Sequence, residues 1–155
     1  MELKTQVIAE EDSQQIIITR AFELPIDLLF KAYIDVTLFE QWMGTKVVKF
    51  DCKAHGSYRF ETSDSDGNIV FSANGVFHEV LPNERITRTF EMENSSFPVQ
   101  LEFLEFEQRS VVTSQLNMQI LFRSTKYRDQ LIEMPFAEGL NYAHNSLQEI
   151  LSHQK

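Results

Sequence analysis

Arg88 is the first residue whose type and place demand chemistry. Ile86, Arg88, Phe90 and Met92 fall on alternate positions of a strand-like stretch and so share one face. Ile86 and Phe90 belong in an interior, and they carry the guanidinium in with them. A buried, unpaired guanidinium costs several kcal/mol. Three arrangements avoid that cost: an ion pair with a carboxylate across the strands, a strand of opposite parity, or a cavity where Arg88 grips a ligand carboxylate bidentately. Arg20 shares a face with Ile16, Ile18 and Phe22 and raises the same question.

The remaining chemistry-bearing residues form no catalytic pattern. His55, His78, His144 and His153 are scattered, without the spacing of a metal site. His78, beside Glu79, reads as a surface or sheet-edge residue, since nothing offers it a nucleophile. Cys52 reads as a half-buried small hydrophobe; a nucleophile would need a lowered pKa. No Ser-His-Asp order and no glycine-rich phosphate loop is present among five Gly. Catalytic residues, metal and cofactor are therefore each assigned as none, and turnover stands behind binding as an expectation. Glu91, Glu93, Glu102, Glu105 and Glu107 crowd two neighbouring strands and read as a solvated outer face, or else as a dock for a basic partner.

Tyr33, Trp42, Tyr58, Phe60, Phe71, Phe90, Phe103 and Phe136 form the aromatic set for a core or cavity, with Leu140 and Arg88 completing the candidate ligand-binding residues. Thirteen Phe exceed what a core of this size needs. Aromatic walls with a few polar groups suit a small hydrophobic or aromatic molecule. Ala73 and Gly75, on one face with Phe71 and Phe77, would open space beneath the C-terminal helix.

These residues must be positioned by strands and by one long helix. Phe136, Leu140, Ala143, Leu147, Ile150 and Leu151 place an apolar stripe on a helix running from Pro135 to His153. Gly139 interrupts it at a cost of ~1 kcal/mol against Ala; it marks a bend, close packing on a strand, or room for a ligand. Upstream, Gln15 to Phe22 reads as a strand. A helix follows from Pro25 through Ile34, then a second over Val36 to Trp42, capped by Asp35 and ended by Gly44. About six strands come next: Lys46–Lys53, Gly56–Thr62, Ile69–Val80, Arg85–Met92, Pro98–Glu107 and Val111–Leu121. Asp64 to Asn68 is a hairpin turn by composition. All links between strands are short, which demands antiparallel pairing. In the last strand Val112, Leu116, Met118 and Ile120 take the inner face.

Lys and Arg number 14 and Asp and Glu 23, a formal net charge of −9. Such a chain repels phosphate backbones and anionic bilayers, so neither nucleic acid nor membrane is an expected partner. One cysteine, no apolar run of signal length at Met1–Glu11 and no stretch of membrane-span length predict a cytoplasmic protein. No repeat or linker divides the chain, so residues 1–155 read as one domain, with 1–14 an N-terminal extension and an ordered core over about 15–153. Monomer and homodimer both stay open.

Ile18-Thr19-Arg20-Ala21-Phe22, Pro25, Phe30, Gln41-Trp42-Met43-Gly44, Gly56-Ser57-Tyr58-Arg59-Phe60, Asp66-Gly67, Gly75 to Val80, Pro82 to Ile86 with Thr89-Phe90, and Phe136 to Leu140 occur in an order that resembles the Hsp90-ATPase-activator-homologue (AHSA1-like) family of the START-like (Bet v 1-like, SRPBCC) superfamily. The resemblance implies an α+β helix-grip fold, with a seven-stranded antiparallel sheet wrapped around the C-terminal helix and a cavity between them. It also implies that Arg20 makes a structural pair near the sheet end. Two positions depart: His55 stands where the family has a second Gly, and Arg88 where it has an apolar or aromatic residue. Relatives range from lipid carriers to polyketide cyclases to chaperone partners. The expectations are thus a non-catalytic module for a small hydrophobic ligand, a chaperone-type or stress-related interaction module, and a cyclase- or hydrolase-like enzyme, in that order.

Overall fold

A computed structural model describes residues 3–154; the outermost ends of the domain read over 1–155 lie outside them. The strands are β1 (Gln6–Ile8), β2 (Gln15–Phe22), β3 (Lys46–Phe50), β4 (Ser57–Ser63), β5 (Ile69–Leu81), β6 (Arg85–Met92), β7 (Gln100–Gln108) and β8 (Ser114–Leu121). They form one antiparallel sheet in the order β1-β2-β8-β7-β6-β5-β4-β3. Helices α1 (Ile26–Ile34) and α2 (Val36–Met43) follow β2, and α3 (Thr125–Glu133) and α4 (Phe136–Ser152) follow β8.

Local chemistry sets these boundaries. The Asp35 carboxylate accepts the Leu38 amide at 3.0 Å, a cap worth ~1 kcal/mol, and Gly44 ends α2 in the left-handed region at φ 64°. The β4–β5 turn takes Gly67 at φ 84° and ties the Asp64 carboxylate to the amides of Asp66 and Asn68. Register shifts at Val47/Lys49, Thr62/Ser63 and Phe77/Glu79 bend β3, β4 and β5. The bent sheet wraps around the helices, with the core on its concave side.

Alternation on β2, β7 and β8 fixes which side chains enter. Ile16, Ile18, Arg20 and Phe22 are buried, as are Leu104 and Phe106, and Leu116, Met118 and Ile120. Leu147 and Leu151 of α4 complete the core, while Phe136, Leu140, Ala143 and Ile150 pack at its margin. The backbone of α4 lies against α1, α2 and α3, closest to α2.

Several expectations are corrected. The sheet has eight strands, because β1 pairs with β2 inside the segment read as an extension. The last strand starts at Ser114; Val111 and Val112 sit exposed in the preceding turn. On β7 the burial of Leu104 and Phe106 carries Glu102 and Gln100 inward and puts Phe103 on the outer face beside Ile17 and Gln119. Gly75 opens no space. A Cβ there would lie 2.0 Å from the Thr89 carbonyl oxygen and 2.6 Å from the Tyr58 ring, which crosses it to donate to that oxygen. Gly139 is exposed and a Cβ there would meet nothing within 4 Å, so close packing on a strand does not explain it. Helix α3 occupies a stretch to which the periodicity assigned no element.

Candidate functional site

A cavity of about 280 Å³ lies between the concave face of the sheet and α4. β2 supplies Ile18, β6 Arg88, Phe90 and Met92, β7 Gln100 and Glu102, and β8 Met118 and Ile120. The helices supply Tyr33, Trp42, Met43, Leu131, Phe136, Leu140 and His144. Its walls are mostly aliphatic, aromatic and thioether surface. A shallow groove shares Trp42, Met43, Phe71, Phe136 and Leu140 with it and extends along Gly139 and Tyr142, forming its mouth between α2 and the first turns of α4.

Of the ten candidate residues, Tyr33, Trp42, Phe71, Arg88, Phe90, Phe136 and Leu140 line this cavity. Phe60 instead lies on the outer groove, in contact with Phe39 and Phe71. Tyr58 is spent on Gly75, on its 2.6 Å bond to the Thr89 carbonyl and on Phe77, whose centroid is 5.0 Å away. Phe103 is outside. Among the Phe residues, Phe71, Phe90 and Phe136 face the hollow, while Phe30 and Tyr33 stack edge-on against Phe106, Phe39 against Trp42 and Phe50 against Phe77.

Arg88 faces inward and pairs across the strands. Its register partner on β7 is Glu102, and Nε donates to Glu102 Oε1 at 2.9 Å. Burial would lower the guanidinium, but the Glu102 carboxylate together with the Tyr58 and Tyr33 phenols holds Arg88 above its ordinary value. Gln100 Nε2 donates to the second oxygen, Glu102 Oε2, at 2.8 Å. Only Nε of Arg88 is engaged by a protein acceptor among the described residues, and no side-chain nitrogen there is both sealed from solvent and unpartnered. The two Nη groups therefore open to the hollow, under the face of Tyr58 at 5.9 Å from the guanidinium carbon.

Sequence reasoning missed His144, Glu102, Gln100, Leu131 and the methionines Met43, Met92 and Met118. His144 sits one residue after Ala143 on the α4 stripe, so helical position alone could have found it. Its ring is 1 % exposed and stacks edge-on to Phe22 at 5.7 Å. Nδ1 lies 2.6 Å from Thr5 Oγ1. Burial, then the charge of Arg20, pushes the His144 pKa down to about 3, so the ring is neutral at pH 7.

Arg20 has no carboxylate partner among the described residues, contrary to the structural pair that the resemblance implied. It is 2 % exposed. Nη1 donates to Thr5 Oγ1 at 3.4 Å and Asn141 Oδ1 at 3.3 Å, Nε donates to the Ala21 carbonyl at 3.2 Å, and the guanidinium lies over Phe22. Burial lowers its pKa from the ordinary value. Thr5 also donates its amide to Asn141 Oδ1 at 2.9 Å, so the segment before β1 fastens Arg20 to α4.

Other candidates are quiet. Burial pushes the Cys52 thiol up to about 11, which keeps it protonated. His55 and His78 are neighbours, ring centroids 6.2 Å apart, at the β3–β5 end of the sheet. Among the described residues no three His, Cys, Asp or Glu could hold a metal ion, and no helix is long and apolar enough to cross a membrane.

A bent antiparallel sheet closed over a long C-terminal helix, with a hollow between them, defines a START-like helix-grip protein. The family model of Activator of Hsp90 ATPase homolog 1-like protein matches residues 23–152, and the chain belongs to that family. Among solved structures, a Rhodobacter sphaeroides protein superposes with a TM-score of 0.85 at 16% identity, covering 97% of this chain and 99% of its own. Protein Ms6760 from Mycobacterium smegmatis gives 0.84 at 20% identity, covering 95% and 96%. A Staphylococcus epidermidis protein gives 0.79 at 24% identity, covering 94% of each chain. These likenesses establish the fold. No curated protein matches the chain by sequence.

Proposed function

We propose that the chain is a non-catalytic binding module for a small hydrophobic or aromatic molecule, held between the sheet and α4. The observation that carries this reading is the 280 Å³ hollow with its apolar lining and its mouth between α2 and α4. Its volume lies just under the ~300–1,000 Å³ usual for small-molecule sites, which favours one or two rings over a long acyl chain. The polar groups on its walls are an ion pair, an amide, a phenol and a neutral imidazole. None of them is a nucleophile with an adjacent base, as covalent catalysis would need. The expected lining is Tyr33, Trp42, Phe71, Arg88, Phe90, Phe136 and Leu140, joined by His144, Glu102 and Met118.

Thermal denaturation against a panel of flavonoids, indoles, naphthalenes and fatty acids tests this. A ligand at 100 times its dissociation constant adds ~2.7 kcal/mol, a rise of about 5–10 °C for a chain of this size. Leu140→Trp, which fills the mouth, should keep the fold and abolish the rise. Panel-wide silence, or a rise that survives the filled mouth, sinks the reading.

A further inference from the structure

The polar wall of the cavity is not electrically balanced. Arg88 and Glu102 cancel each other, and His144 is neutral. The buried Arg20 is left as a net positive charge behind Thr5 and His144, held by neutral oxygens alone among the described residues. A buried cation without a counter-charge is costly, and an anion brought near it recovers part of that cost.

The hydrogen bonds fix a polarity as well. Thr5 Oγ1 accepts from Arg20. Among the described residues its own proton has one acceptor within reach, His144 Nδ1 at 2.6 Å. The hydroxyl therefore donates to Nδ1, which leaves the ring proton on Nε2. Nε2 has no protein partner, yet no side-chain nitrogen among the described residues is both sealed and unpartnered. Since His144 lines the cavity, Nε2–H opens into it. The Nη groups of Arg88 are free donors on the same cavity. The Tyr33 hydroxyl also lacks a protein partner among the described residues, on a side chain that is 3% exposed.

We propose that the occupant is a small aromatic acid, its ring among the apolar side chains and its carboxylate against the donors of His144, Arg88 and Tyr33, with the charge of Arg20 behind them. This rests on the cavity being a binding site. It adds the sign of the charge, the head group and the end of the cavity that receives it.

Calorimetric titration at pH 7 with 2-naphthoic acid, 2-naphthamide and 2-naphthalenemethanol tests it, since the three share a ring system and only the acid is charged. The acid is expected to bind at least ~10-fold more tightly than the amide. In His144→Phe the ring shape is kept and Nε2–H is lost, so the preference should fall several-fold while the amide binds as before. His144→Gln, which retains an N–H donor, should restore part of it. The double variant Arg88→Met/Glu102→Leu removes the second set of donors without orphaning a charge, and should cost the acid more than the amide. Equal binding of acid and amide, or a preference unchanged in both variants, overturns the proposal and leaves the cavity reading standing. Failure of all three compounds to bind overturns the proposal, and with silence across the wider panel it overturns the cavity reading as well.

Discussion

At the scale of single residues, Arg88 shows how an odd side chain is accommodated. Alternation along β6 put it inside, and the strand register supplied Glu102 directly opposite. The pair was legible as one of three solutions from the sequence; its partner was not, because Glu102 was grouped with the surface glutamates Glu105 and Glu107. The inward faces of Leu104 and Phe106 decide its side, and parity along one strand outweighs residue type. Removing one member of the pair should therefore hurt far more than removing both. Glu102→Leu leaves a buried guanidinium alone and should cost ~3–5 kcal/mol in chemical denaturation. Arg88→Met/Glu102→Leu should come within ~1–2 kcal/mol of the parent. A double-mutant cycle with no coupling between the two positions would contradict this.

At the scale of elements, Gly75 is a place where backbone and ring compete for the same volume. β4 puts Tyr58 opposite Gly75, and the ring needs the absent Cβ to reach the Thr89 carbonyl on β6. Gly75→Ala should destabilise by about 3 kcal/mol or more, through a clash with backbone that cannot yield. In the variant Gly75→Ala/Tyr58→Leu only the ring's share of the clash should be relieved and most of the loss should persist, which urea melts of the two can measure. Helix limits at Asp35, Gly44 and Pro135 were legible because caps are local chemistry. The short β1 and α3 were not. β1 has three residues and is held by Thr5 reaching Asn141 and His144, partners more than a hundred residues away. Helix α3 carries a weak apolar stripe, with only Arg128 and Leu131 buried.

For the whole molecule, pH is the lever that reads the interior. His144 titrates near 3 when folded and near ~6.5 when unfolded. Below ~6.5 the unfolded chain binds a proton that the folded chain refuses. Stability is therefore complete above that value and falls as pH drops towards 3, with a slope approaching ~1.4 kcal/mol per unit from this group. Glu93, held down to about 2 by Arg59, then by Asn74 and Ser72, adds a loss in the same direction below its ordinary range. Denaturant melts between pH 7 and pH 4 should show the slope, and His144→Phe should flatten its upper half; parallel curves for the two proteins would refute the assignment. The long-range architecture was readable in outline because strand period, short links and one amphipathic helix leave few ways to fold. The charge balance of the cavity was not, since it depends on which buried side chains meet after the sheet bends. Trp42, the sole tryptophan, is fixed against the hollow by donating Nε1–H to the Ala32 carbonyl at 2.8 Å. The protein thus carries one intrinsic fluorophore at the threshold of its own interior, so arrival and departure of a guest can be timed by stopped-flow emission without attaching a dye.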